Sequence, residues 1–206
     1  VDAFVNMRAN EFTDGHCVKA LAVLLEYLPR IDAAGGAGFV AREKVHNGAV
    51  EAGMAYSNAC LGLAHSLVDN LADTQGLAHG KLAPACLLNT MLYNVAAGPR
   101  KGLALERYAA LADALRLLPA DKSAAASPKE KFDALYSALA ALRDTLKLPK
   151  TLAEAGVRQD ALDAALPSVA GAVVAESDST KCDGGKCLET GEPCIGAFVR
   201  PPTEDS

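Results

Sequence analysis

No dense run of lysine or arginine occurs in the 206 residues, and the formal net charge is −5. Nucleic acid and anionic membrane surfaces, which bind clustered cations, are therefore excluded as partners. Nor is there an apolar stretch of the roughly 18 to 20 residues that a membrane span needs; even "VKALAVLLEYLP" contains a lysine, a glutamate and a proline. Runs of alternating apolar and polar residues enriched in β-branched side chains are missing too, so nothing predicts a sheet, and no internal repeat is evident. The opening "VDAFVNMRANEF" lacks the charged start and apolar centre of a signal peptide. Because the chain begins with Val1 rather than methionine, a leader or something larger is expected to have been removed before it. The compartment stays open between cytoplasm and, with such a leader, an organelle.

What is present is a chain half apolar by composition, with a mean hydropathy of +0.12. That is enough to bury a substantial core. Apolar positions recur at helical spacing. Val18, Leu21, Leu25 and Leu28 mark one amphipathic helix that Pro29 is expected to end. The stretch from Arg42 to Ala72 continues helical, and its many small residues predict a buried central helix or helix pair. Pro84 fits a first helical turn, followed by Leu87, Leu88, Met91, Leu92 and Val95. Leu105, Tyr108, Leu111, Ala112 and Leu115 form another helix. Ser127, Pro128 and Glu130 read as a capping box with proline at its first position, ahead of Phe132, Leu135, Leu139, Leu142 and Leu146. Thr151 and Glu154 read as a second box, and a helix through Leu162, Leu166, Val169 and Val173 is expected to break at Pro167. The fold class is all-α: a multi-helix bundle over residues 1–176 and an irregular tail over 177–206.

Three of the six cysteines, Cys17, Cys60 and Cys86, fall within helical patterns and read as buried thiols. The others lie together in "CDGGKCLETGEPC" as Cys182, Cys187 and Cys194. Their spacing is not a standard zinc pattern, so free thiols, one disulfide, or three thiolates awaiting a fourth ligand all stay open.

The most informative stretch is "NACLGLAHSLVDNLADTQGLAHGKLAP", which holds His65 and His79. On one unbroken helix, 14 residues at about 1.5 Å each would hold them roughly 21 Å apart, too far to share a ligand. The segment between them contains Gly76 and breaks the apolar periodicity, so a bend can bring the two together. A core histidine plus a loop histidine is the plain alternative. Imidazole suits iron and zinc alike.

"RANEFTDGHCVKALAVLLEYLPR", "AREKVHNGAVEAGMAYSNACLGLAHS" and "AHGKLAPACLLNTMLYN" resemble the C-terminal helical domain of iron-containing (group III) alcohol dehydrogenases. The likeness is close over about residues 1–120 and looser beyond. It implies that His65 and His79 are ligands of an active-site metal. The family's other two ligands lie in an Asp-x-x-x-His helix, and this chain starts about two residues too late to contain them. Its NAD(P)-binding α/β domain has no counterpart, since "GGAGF" precedes no strand–loop–helix unit. The histidine commonly found four residues after the first ligand, near the nicotinamide and substrate, is Asp69 here. Because positions 65 and 69 share a helix face, Asp69 reads as a hydrogen-bond partner of His65, a replacement ligand, or a plain surface carboxylate. No catalytic residue is assigned. His16 and His46 match positions that look structural in the family. "CIGAFVRPP" keeps Cys194 and Arg200 of a closing Cys-x-x-x-Asn-Pro-Arg segment, with Phe198 and Val199 in place of Asn-Pro.

Two functions follow from the resemblance. In one, the chain is the metal-binding helical half of an NAD(P)-dependent alcohol dehydrogenase, acting on alcohols or aldehydes only with a nucleotide-binding half that is either a missing part of the same protein or another polypeptide. In the other, it is a non-catalytic relative, a pseudoenzyme serving as accessory subunit of a larger protein complex.

Overall fold

A computed structural model describes residues 1–6, 8–33, 38–96 and 101–178, and among these there are helices and no strand. In chain order the helices are α1 (Asp2–Val5), α2 (Glu11–Ala33), α3 (Phe39–Ala59), α4 (Leu63–Gln75), α5 (His79–Ala96), α6 (Lys101–Ala114), α7 (Ala120–Ser123), α8 (Pro128–Thr145) and α9 (Gln159–Asp178). The expected tail lies almost entirely outside the described residues, and with it Cys182, Cys187 and Cys194.

Local chemistry accounts for several helix ends. The Asn10 side chain accepts from the N–H groups of Phe12 and Thr13, while the Thr13 hydroxyl accepts from the N–H of Asn10. These bonds satisfy donors that a first turn leaves without intrahelical partners. The capping box of α8 is complete: Ser127 accepts from the Glu130 N–H, and the Glu130 carboxylate accepts from the Ser127 N–H, with Pro128 opening the helix. The second expected box is only half made. Thr151 accepts from the Glu154 N–H, but the Glu154 carboxylate turns to the Lys150 N–H, and the segment forms turns ahead of α9.

Three prolines read as boundaries sit elsewhere. Pro29 and Pro167 lie inside α2 and α9, and Pro84 stands five residues into α5. Tertiary packing outweighs the roughly 3 kcal/mol interior penalty at such positions: α2 lies along α3, α5 along α4, and α9 against α4. The small-residue region takes the second of its two expected forms. It is a helix pair broken at 60–62, and α3 is peripheral, with Val50, Met54 and Tyr56 exposed. Gly48 lets α2 approach, since a Cβ there would stand 3.2 Å from Val23 Cγ1, while Ala55 and Ala59 face the larger core cluster.

Two apolar clusters fill the interior. The larger gathers Phe4, Leu21, Met91, Tyr108, Leu111, Phe132 and Leu135, with Tyr108 and Phe132 tilted at a ring distance of 5.5 Å. The smaller joins Val68 and Leu71 of α4, Leu82 and Cys86 of α5, Ala155, Val157 and Val169. Helix α5 contributes to both, through Leu88 and Met91 in one and Leu82 and Cys86 in the other. It therefore stands between the clusters and holds its own first residue, His79, against α4. Cys17 and Cys86 are the buried thiols expected; Cys60 is buried but disulfide-bonded.

Candidate functional site

Helix α3 ends at Cys60, whose φ of 65° and ψ of 177° lie in a region that costs a side-chain-bearing residue about 1–3 kcal/mol. Asn6, just past α1, braces this break by donating from Nδ2 to the Leu61 carbonyl at 3.0 Å. Helix α4 then starts at Leu63 and places His65 in its first turn. At its other end Gly76 closes α4 in the left-handed conformation, φ 62° and ψ 29°, the standard cap for a residue without Cβ. Only Leu77 and Ala78 intervene before α5 opens with His79. The expected bend is thus a helix cap followed by a tight reversal, with α4 and α5 packed side by side.

That reversal brings the imidazoles together. The ring centroids of His65 and His79 are 5.6 Å apart, with the planes tilted by 39°. Two imidazoles sharing one ion at about 2.0–2.1 Å per nitrogen in a tetrahedral arrangement have centroids roughly 5 Å apart, close to the separation of this pair. It is two donors of a set: among the described residues no group of three or more His, Cys, Asp or Glu side chains is placed to hold a metal.

The carboxylate assignments change. His65 Nδ1 lies 2.9 Å from Oδ2 of Asp2, a residue of α1 with a side chain only 3 % exposed. The same oxygen accepts the His65 backbone N–H at 3.3 Å. Asp69, expected opposite His65, instead has its Oδ1 3.4 Å from His79 Nε2. Of the three readings left open for Asp69, partnership with His65 is not the one seen: Asp2, on α1 where it meets the start of α4, is the carboxylate at His65. Reading the sequence missed Asp2, which is 63 positions away. The one local signal is that Gly62, preceding α4, offers no side-chain acceptor for its first N–H groups.

Helix α1 is itself held. Arg107 of α6 donates to the Phe4 carbonyl and makes a two-pronged pair with Asp14 of α2, Nη1–Oδ2 2.8 Å and Nη2–Oδ1 2.6 Å. Its guanidinium lies 4.1 Å from the centroid of the Phe4 ring. On another side His65 borders a half-enclosed apolar cavity of about 230 Å³, walled by Val68, Leu87, Leu88, Leu139 and Leu142. Beneath the site, burial pushes the Cys86 thiol up to about 11, with the Asp2 charge adding to the shift. The remaining histidines are placed apart: His16 pairs with Glu51 of α3 at 2.6 Å, and His46 is exposed on α3.

An all-helical domain with two imidazoles converging from a helix start and a following helix is what the geometry defines. The chain belongs to the Fe-containing alcohol dehydrogenase family: the model of that family's C-terminal part matches residues 1–180. It is 37 % identical over 169 residues to the bifunctional aldehyde-alcohol dehydrogenase AdhE of Escherichia coli K12, covering 77 % of this chain and 18 % of that protein. To the 1-propanol dehydrogenase PduQ of Salmonella typhimurium LT2 it is 34 % identical over 176 residues, 85 % of this chain and 45 % of that one. The iron-containing alcohol dehydrogenase structure from Thermococcus thioreducens superposes with a TM-score of 0.67 at 26 % identity, covering 84 % of this chain and 40 % of that one. The chain thus spans less than half the length of these relatives.

Proposed function

We propose that this chain is the metal-binding helical half of an NAD(P)-dependent alcohol dehydrogenase, with His65 and His79 as two ligands of a divalent ion, iron or zinc. The observation that carries the reading is the 5.6 Å approach of two imidazoles that lie 14 positions apart in sequence. In this reading the nucleotide site is supplied by a further part of the same protein or by a partner chain. The chemistry of a bound ion there is Lewis-acid polarisation of an alcohol oxygen, which eases loss of its proton before hydride leaves for NAD(P).

The chain's own residues do three things in this reading. His65 and His79 bring their rings together from two packed helices, so the distance between them is set by the α4–α5 contact. Asp69 puts a carboxylate beside His79, where it adds negative charge to the site. The apolar wall formed by Val68, Leu87 and Leu142 keeps water from one side of His65 and gives the hydrocarbon part of a substrate a surface.

The test is the metal content of the natural protein as isolated, read by native mass spectrometry, beside His65→Ala and His79→Ala variants of the same assembly. Loss of metal in both variants supports the ligand roles. Unchanged metal in both removes them, and a metal-free chain bound to unrelated subunits would leave a scaffold role in place of a catalytic one.

A further inference from the structure

We propose that the apolar cavity between α4, α5 and α8 is a binding site for a medium-chain fatty acid, whose hydrocarbon chain fills the cavity and whose carboxylate meets Arg143 at the rim. The inference concerns the interior of the helical domain and does not rest on the metal reading.

The cavity follows from how α8 ends. This helix contributes Leu139 and Leu142 to the wall, and then the chain reverses. The Leu148 N–H donates to the Arg143 carbonyl at 3.0 Å and the Lys147 N–H to the Asp144 carbonyl at 3.1 Å, with Lys147 at a φ of 52°. These two bonds are those of a Schellman cap, which folds the residue beyond the reversal back over the last turn. Leu146 and Leu148 thereby join a wall completed by Val68 of α4 and Leu87 of α5. The space of about 230 Å³ is half enclosed and lined almost wholly by hydrocarbon. It offers water few of the polar partners that hold a buried molecule in place. An apolar cavity of about 150 Å³ stays dry and takes up benzene; scaled by volume, this one accommodates roughly nine carbon atoms.

Charge sits at the rim. His65 and Arg143 are the two lining residues with polar side chains, and Nδ1 of His65 is already engaged by Asp2. Arg143 lends its stem to the wall and, with a side chain 17 % exposed, reaches water with its head group. Its Nε and Nη2 both donate to Oδ1 of Asp144 at 3.1 Å, while Lys150 takes Oδ2 at 2.9 Å. Among the described residues Nη1 makes no hydrogen bond, so a guanidinium N–H is left for an incoming oxygen. Around it Arg143, Lys147 and Lys150 outnumber the carboxylates of Asp144 and Glu154 by one. That excess outweighs the negative end of the α8 dipole, equivalent to about half a charge. A hydrocarbon chain ending in an anion matches both halves of this site. Because His65 also borders the cavity, a bound chain would displace the hydrocarbon part of a substrate from the same wall; that consequence, unlike the binding itself, rests on the proposed function.

The natural protein is titrated calorimetrically at pH 8 with straight-chain fatty acids from butanoate to dodecanoate. Affinity should rise about fourfold per methylene and level off at roughly nine carbons. Ala83→Leu, which fills part of the cavity, should lower that limit by about three carbons, the number it adds to the wall. Arg143→Gln should weaken octanoate about tenfold and leave 1-octanol within about twofold. His79→Ala removes a proposed metal ligand and no part of the wall, so it should bind octanoate as the unmodified protein does even where its metal is lost. No saturable binding, a rise with no break in chain length, or 1-octanol held as tightly as octanoate overturns the proposal. Loss of octanoate binding in His79→Ala would tie the ligand to the metal and overturn it as well. If Ala83→Leu fails to fold, the chain-length break and Arg143→Gln decide.

Discussion

Replacing Arg107 with alanine should destabilise the fold by about 2–4 kcal/mol. Its guanidinium donates twice to Asp14 and also to the Phe4 carbonyl, while its face lies on the Phe4 ring. Hydrogen bonds to charged groups contribute about 1.5–3 kcal/mol each when measured singly, and a cation over an aromatic face about 0.5–1 kcal/mol at exposed sites. The Arg107 and Asp14 side chains are 28 % and 23 % exposed, and solvent screening together with shared geometry holds the total well below the sum of these single values. At about 2–4 °C per kcal/mol for a chain of this size, the melting temperature should fall by roughly 5–15 °C in thermal unfolding followed by circular dichroism. Arg107→Lys should recover part of that loss, because an ammonium keeps the charge and gives up the planar two-pronged geometry. A double-mutant cycle with Asp14→Ala should give a coupling of about 1–2 kcal/mol. An Arg107→Ala protein melting within 2 °C of the original, or a coupling near zero, would refute the view that α1, α2 and α6 are tied through this side chain.

Two further outcomes follow from single residues. Gly156 has a φ of 100°, a conformation strained for any residue with a Cβ, so Gly156→Ala should cost about 1–3 kcal/mol in denaturant unfolding; a cost below 0.5 kcal/mol would show that the turn relaxes freely. Cys86 releases its proton near pH 9 in the unfolded chain but only near pH 11 in the fold, because burial disfavours the thiolate and the Asp2 charge adds to this. Its contribution to stability is therefore complete below about pH 9 and is lost as pH rises to 11. Native Cys86 should resist iodoacetamide at pH 8 and react once the chain is unfolded in urea; rapid labelling of the native protein at that position would contradict its burial.

The features legible in the sequence were the local ones. Ser127 and Glu130 are three residues apart and complete each other's hydrogen bonds whatever the rest of the chain does, so their capping box could be read directly. The apolar spacing of α6 and α8 likewise anticipated the buried faces of Tyr108, Leu111, Phe132 and Leu135. Gly76 was legible as a place to turn, since a glycine after an apolar helix repeat favours the left-handed cap. The prolines misled because their penalty is local, whereas the packing that overrides it comes from other helices, the following α3 at Pro29 and the distant α4 at Pro167.

The sequence by itself determined the all-helical class, the family likeness and the two histidines to watch, because helix periodicity, caps and motif spacing are written within a few residues. Only the tertiary structure decided which carboxylate serves which imidazole. Asp69 shares a helix face with His65 yet stands beside His79, while Asp2, 63 residues from His65, caps the helix start and takes Nδ1. The physical reason is that α4 opens on a glycine with no acceptor to offer, and the fold meets that requirement with the nearest carboxylate in space.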